Sequence, residues 1–332
     1  WYLNSWSFEG SPVSNFHQEH FPGRTYESFV EEYRVRSHGV DVAHWADLFQ
    51  MAGAKYVVPV TKHHDGFLMW HSGVPNPHRD HWMTDRDVIG ELATAVRAEG
   101  MRFGLYYSGG LDWTFQPPPI RDIAGLFTNI PPQPEYLDYA TAHYHELIDR
   151  FLPDVLWNDI GWPLAHDSND IISYYYGKVP HGVVNDRFNM LGVMGGTHHA
   201  DFRTPEYSTK AADGKWEVCR GIGRSFGYNR MENEASYPSV DENIWMLADI
   251  VARNTDTNAI QSDMFLFYER RTSAMTPEHP DDRQLIIGTA GTDACLRTAR
   301  RAASHASSSA SAPFASAEDP STATDRLGAV GP

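Results

Sequence analysis

The chain has 332 residues and a mass of 37.5 kDa, enough for one large barrel-type domain or two ordinary ones. Hydrophobic residues make up 41% and charged residues 21%, which excludes wholesale disorder, and no apolar run reaches the length of a membrane-spanning helix. The net charge of −16 argues against a nucleic-acid or anionic-membrane surface, because binding phosphate takes an excess of Lys and Arg.

Residues 1–39 show no period and read as irregular and aromatic. Asp41 can cap a helix striped by Trp45, Leu48, Phe49 and Ala52, with Gly53 as its left-handed end. Tyr56-Val57-Val58-Pro59-Val60 is a β-rich run that leads into Lys62-His63-His64-Asp65-Gly66. Val88, Leu92 and Val96 stripe a second helix that stops at Gly100, and Phe103 to Tyr107 reads as a strand. Leu137, Ala140, Tyr144, Leu147, Ile148 and Phe151 stripe a third helix. Pro153 breaks it, and the strand Val155-Leu156-Trp157 follows. A helix around Ile171 to Tyr176 precedes the strand Gly182-Val183-Val184-Asn185. A last stripe runs through Ile244, Leu247, Ala248 and Val251.

Helices alternating with short buried strands imply a parallel sheet, and the number of repeats favours a (β/α)8-type barrel, TIM-like, over an open doubly wound sheet. No Gly-x-Gly-x-x-Gly loop follows a strand, which weakens the dinucleotide-binding alternative. The expected organisation is a catalytic barrel over 1–254, an irregular segment over 255–288, and an Ala/Ser/Thr/Arg-rich tail over 289–332. That tail is too poor in apolar residues to offset its ordering entropy and is expected to be disordered. The two cysteines, Cys219 and Cys295, form no metal pattern and no disulfide framework, and no signal-peptide pattern follows Trp1.

Barrel active sites lie at the C-terminal ends of the strands. At those positions stand His63 and His64, Tyr106, Trp157-Asn158-Asp159, Asn185-Asp186-Arg187 and Thr204-Pro205-Glu206. Two carboxylates, two imidazoles, a guanidinium and several rings suit glycoside hydrolysis, in which a pair of carboxyl groups flanks the scissile bond. Each residue also has a plainer role. Asp159 could cap a helix, Glu206 could be a surface carboxylate, and Arg187 could pair with Asp186. Tyr106 and Trp157 could be core rings, and Glu217 competes with Glu206 as the acid. A metal held by His63, His64 and Asp65 is geometrically awkward, because adjacent residues of an extended run point to opposite faces.

At these residues the chain resembles the α-L-fucosidases of glycoside hydrolase family 29, bacterial type. The matching strings are Lys62-His63-His64-Asp65-Gly66-Phe67, Gly104-Leu105-Tyr106-Tyr107-Ser108, Leu156-Trp157-Asn158-Asp159-Ile160-Gly161-Trp162, Val184-Asn185-Asp186-Arg187, Thr204-Pro205-Glu206-Tyr207 and Trp216-Glu217, and they continue through Ser225-Phe226-Gly227-Tyr228-Asn229. The resemblance implies a retaining exo-glycosidase that releases terminal α-L-fucosyl residues from an oligosaccharide or glycoconjugate, with no metal and no organic cofactor. It implies Asp159 as nucleophile and Glu206 as acid/base. It further implies fucose contacts from His63, His64, Tyr106, Trp157, Arg187, Trp1 and Phe226.

The family opens with a His-Trp-Gly strand, and this chain begins after it. The family also continues beyond a segment like Ile250 to Asn254 with a Gly-Asn-Leu-Leu-Leu-Asn-type strand that 255 onward does not match. The expectation is therefore a barrel lacking its first and last strands, with two exposed edges, in a fragment or frame-disrupted copy of low stability. A catalytically impaired fucose-binding remnant and a metal-dependent hydrolase are the alternatives.

Overall fold

The structure is a computed structural model. It describes residues 1–163, 166–189, 199–207, 214–221, 223, 232–253, 262–267 and 285–290, the last two stretches and 247–253 as backbone only. Three short helices open the chain: α1 (Tyr2–Trp6), α2 (Pro12–His20) and α3 (Ser28–Ser37). The expectation of an irregular N-terminus is corrected here. Ser11 caps α2 through the Ser14 N–H with Pro12 in its first turn, a start signal that the sequence does contain. No stripe reveals these helices, because they pack ring against ring. Trp6 stacks on His17 at 3.7 Å, and Phe21 meets Phe29 edge-on at 5.1 Å.

The repeating unit then begins. Helix α4 (Val42–Met51) starts at Asp41, whose carboxylate accepts from the His44 N–H at 3.0 Å. Its buried stripe is Val42, Ala46 and Phe49, while Leu48 and Ala52 face outward, so the expected face is rotated. Strand β1 (Tyr56–Lys62), helix α5 (Val88–Ala98) and strand β2 (Arg102–Ser108) follow. After them come α6 (Ile123–Thr128), α7 (Pro134–Phe151), β3 (Val155–Asp159), α8 (Asn169–Lys178) and β4 (Val183–Val184). Strand β5 (Cys219–Gly221), helix α9 (Val240–Arg253), β6 (Ser262–Phe267) and β7 (Leu285–Ala290) complete the described elements.

The strand order is β4-β3-β2-β1-β7-β6-β5, with β1 through β4 mutually parallel. Single bridges close the remaining gap. Asn185 pairs with Phe202, Arg203 with Trp216 and Glu206 with Cys219, so the pairing runs around a ring. The architecture is the (β/α)8-type barrel. Between β1 and β5, where exposed edges were expected, stand β7, antiparallel to both β1 and β6, and β6, parallel to β5. The sequence pattern predicts no strand after residue 254. Yet Met264-Phe265-Leu266-Phe267 and Leu285-Ile286-Ile287 are short apolar runs of the kind that mark strands without a period. Thr289 and Ala290 lie in β7, and 291–332 lie outside the described residues.

Strand alternation sorts the side chains into two layers. Val57, Phe103, Leu105, Tyr107 and Leu156 face the helices and join the main core with α5 and α7. Tyr56, Val58, Tyr106, Val155, Trp157, Phe202 and Cys219 face inward and fill the barrel. Asp159 shares the inward parity of Val155 and Trp157, which is why it stands at the barrel's mouth.

Candidate active site

Arg187 is the hub of the site. It lies just beyond β4 in a 3-10 turn, with its side chain 15% exposed. One amino group, Nη1, donates to Asp159 Oδ1 at 3.0 Å. The other, Nη2, meets Glu206 Oε1 at 2.7 Å and the Thr204 carbonyl at 3.0 Å, and Nε donates to Thr204 Oγ1 at 2.7 Å. The guanidinium carbon sits 4.6 Å from the centre of the Trp157 ring, a cation–π contact. Arg187 thus pairs with both expected carboxylates and not with Asp186. The Asp186 carboxylate instead accepts from Thr204 Oγ1 at 2.7 Å and steadies the acceptor that Arg187 Nε uses.

Asp159 is 8% exposed and receives two further donors. The Tyr106 hydroxyl donates to Oδ2 at 2.7 Å, and the Ile160 N–H donates to Oδ1 at 3.0 Å. Burial and the neighbouring Asp159 charge push the Tyr106 phenol far up, so it stays a donor. Ile160 has φ of 58° and Tyr207 has φ of 47°. Positive φ at a β-branched or bulky residue costs about 1–3 kcal/mol and clusters at functional sites. Here one such residue directly follows each of the two carboxylates.

The rings form a continuous wall. Tyr106 stacks on Trp157 at 5.3 Å and on His63 at 5.8 Å, and His63 lies 3.9 Å from His64. Trp1 meets His64 edge-on at 5.0 Å. Strand β1 ends at Lys62, so the two histidines sit in a turn rather than an extended run, and the opposite-faces argument does not apply to them. Burial pushes both imidazoles well down, and they are neutral. Asp65 is engaged elsewhere, accepting from Tyr26 at 2.7 Å and from the Phe67 N–H at 3.1 Å. Gly66 is required beneath them: its φ is 75°, and a Cβ there would lie 2.5 Å from Asp112 Oδ1. Phe226 lies outside the described residues.

Glu217, the competing acid, is 0% exposed, deep inside the barrel. Its carboxyl accepts from Tyr56 Oη and from Trp157 Nε1, each at 2.6 Å. It is thus held at the edge of the Trp157 ring and has no exposure to solvent. Burial pushes its carboxyl up to about 7, against the pull of those two donors. Between its ordinary value of 4.5 and about 7 the native state holds a proton that the unfolded chain has released. Stability must therefore fall as pH rises through that window, by roughly 3 kcal/mol in all. Glu217→Gln is expected to flatten this slope. Urea midpoints taken from pH 4.5 to 8 check it, and a slope unchanged in the variant would place the titrating group elsewhere.

Sequence reasoning missed Ser108, Trp113 and Thr204 as parts of this site. Ser108 and Thr204 stand inside motif strings, but their role is a hydrogen bond and leaves no periodic trace. Trp113 is 5% exposed, lies 5.7 Å from His64, and its Nε1 has no hydrogen-bond partner among the described residues.

A family model described as Alpha-L-fucosidase matches residues 1–257. This chain belongs to the α-L-fucosidase family. The tissue alpha-L-fucosidase of Macaca fascicularis is 34% identical over 249 residues, covering 69% of this chain and 50% of that protein. The human tissue enzyme is 34% identical over 248 residues with the same coverage. Among solved structures, a Thermotoga maritima alpha-fucosidase in complex with a mechanism-based inhibitor matches with a TM-score of 0.68 and 42% identity, covering 76% of this chain and 57% of its own. An alpha-L-fucosidase from Paenibacillus thiaminolyticus matches at 0.52 and 25%, covering 64% and 56%. The chain spans about half the length of the curated relatives it matches.

Proposed function

We propose that this chain is a retaining exo-α-L-fucosidase acting on terminal α-L-fucosyl residues of an oligosaccharide or glycoconjugate. The observation that carries the reading is the single Arg187 guanidinium held between Asp159 and Glu206 at the mouth of the barrel. A retaining glycosidase uses two carboxyl groups roughly 5–5.5 Å apart, and here Asp159 Oδ1 and Glu206 Oε1 lie 3.0 and 2.7 Å from the two amino groups of one guanidinium. Family membership supports the sugar class.

In the first half-reaction the Asp159 carboxylate attacks the anomeric carbon. The bond to the leaving oxygen breaks, and Glu206 delivers its proton to that oxygen. The result is a fucosyl ester of Asp159. In the second half, Glu206 takes a proton from water, the resulting hydroxide attacks the same carbon, and the ester breaks to regenerate Asp159. Three donors fix the Asp159 carboxylate in one orientation, which holds the attack geometry. The Glu206 side chain is 46% exposed, so it can exchange protons with solvent between the two halves. Trp1, Tyr106, His63, His64 and Trp157 supply the ring wall and polar groups that hold the sugar.

Hydrolysis of 4-nitrophenyl α-L-fucoside, with the α-galactoside and β-fucoside as controls, tests the reading. Binding of L-fucose without turnover would instead mark a sugar-binding remnant. Glu206→Gln is expected to lower kcat/KM by roughly 10²–10⁴-fold for a fucosyl disaccharide, whose leaving group needs the proton. The loss should be far smaller for the 4-nitrophenyl substrate in its first half-reaction. Equal losses on both substrates would remove Glu206 from the acid role and turn attention to Glu217.

A further inference from the structure

The hydrogen bonds behind His64 fix which of its ring nitrogens carries the proton. His64 Nδ1 lies 2.7 Å from Ser108 Oγ. The hydroxyl of Ser108 has one proton, and its Oγ lies 2.9 Å from the Leu111 carbonyl oxygen, which can only accept. If Ser108 gave its proton to His64 instead, two oxygens with lone pairs facing would be held at that distance. The proton of Ser108 therefore goes to Leu111, and the His64 contact is a hydrogen bond only with the ring proton on Nδ1. His64 is 1% exposed and neutral, so a second ring proton is excluded and Nε2 carries a lone pair. The Lys62 ammonium donates to the same Leu111 carbonyl at 3.2 Å and fixes that acceptor in place. Trp1 and Trp113 hold the ring from its sides, at centroid distances of 5.0 and 5.7 Å.

We infer that Ser108 is a positioning residue that locks His64 as a hydrogen-bond acceptor at Nε2, so that this side of the sugar site selects a ligand group able to donate a proton, a free hydroxyl. The inference rests on the fucosidase reading for the identity of the ligand but not for the tautomer. It separates the two histidines of the Lys-His-His-Asp string. His64 is oriented through a serine and a main-chain carbonyl, whereas His63 stacks on Tyr106 and leans against His64 at a tilt.

The tautomer is read from the unliganded protein by two-bond ¹H–¹⁵N NMR of ring-labelled histidine, with His64→Gln identifying which of the 17 histidine spectra is lost. The expected result is a neutral ring protonated at Nδ1, and a change in that pattern in Ser108→Ala. A ring protonated at Nε2 in the parent protein overturns the inference. The ligand side is read by dissociation constants for L-fucose and its monodeoxy and monodeoxyfluoro analogues at each hydroxyl. Fluorine keeps an acceptor and removes the donor. At one position both analogues should lose the same affinity, roughly tenfold, and Ser108→Ala should shrink that loss. If the fluoro analogue binds as well as fucose at every position, the acceptor role is wrong. If L-fucose itself does not bind, the fucosidase reading fails while the NMR result still decides the tautomer.

Discussion

Replacing Asp159 by glycine is expected to slow cleavage of an aryl α-L-fucoside on the order of 10⁴-fold, about 5.5 kcal/mol of transition-state stabilisation. Asp159 sits at the last residue of β3 with inward parity, and Tyr106, Arg187 and the Ile160 N–H fix both its oxygens. Among the described residues no other carboxyl is so placed: Glu206 is half exposed on the second amino group of Arg187, and Glu217 is fully buried against Trp157 Nε1. The fold should survive the change, because Arg187 keeps Glu206 as its counter-charge. The space left by the carboxyl admits a small anion. Azide is expected to restore part of the rate by attacking the anomeric carbon itself, giving fucosyl azide of inverted configuration. Steady-state rates with and without azide, and NMR of the product, check both points. A glycine variant with full activity and no azide product would take Asp159 out of the mechanism.

The second large effect is on stability. Lys62 and Asp112 form an ion pair at 3.0 Å with both side chains 0% exposed. Lys62 also lies over the Tyr107 ring at 4.6 Å, and Asp112 accepts from Thr114 N at 2.9 Å and Oγ1 at 2.6 Å. Burial pulls the Lys62 ammonium down, and Asp112 opposes that pull. Removing one partner of such a pair leaves an uncompensated buried charge, which costs about 3–5 kcal/mol. Asp112→Ala is therefore expected to lower the urea midpoint strongly. Changing both members to apolar residues of similar volume, Lys62→Met with Asp112→Leu, should cost much less than the sum of the single changes. A cycle with no coupling would show that the pair contributes no more than surface ions do. The pair also bears on the site: Lys62 precedes His63 in the chain and shares the Leu111 carbonyl with Ser108.

Period carried most of what the sequence revealed. The apolar run Val155-Leu156-Trp157 marked β3, and the structure puts Val155, Trp157 and Asp159 on one face of it, which carries the candidate site. The stripe of α7 is buried at every expected position but Leu137, and Asp41 caps α4 as its side chain and position suggest. What escaped has no period. Helices α1–α3 pack through paired rings, so their apolar residues follow contacts rather than turns. The strands after residue 254 are short apolar runs in a polar setting, and such runs carry no helical or alternating signature. Arg187, Asp159 and Glu206 were each legible as site residues, but the pairing of Arg187 with both carboxylates was not, because they lie 28 and 19 residues away in the chain. Ser108 and Glu217 act on other side chains, His64 and Trp157, and only coordinates reveal such relays.

The most direct test of the account is the configuration of the first product. Purified chain and 4-nitrophenyl α-L-fucoside are mixed in an NMR tube, and the anomeric proton of released fucose is followed before mutarotation. Double displacement through Asp159 gives α-L-fucose first, with the β anomer growing later at the mutarotation rate. β-L-Fucose appearing first, or no fucose released at all, would contradict the account.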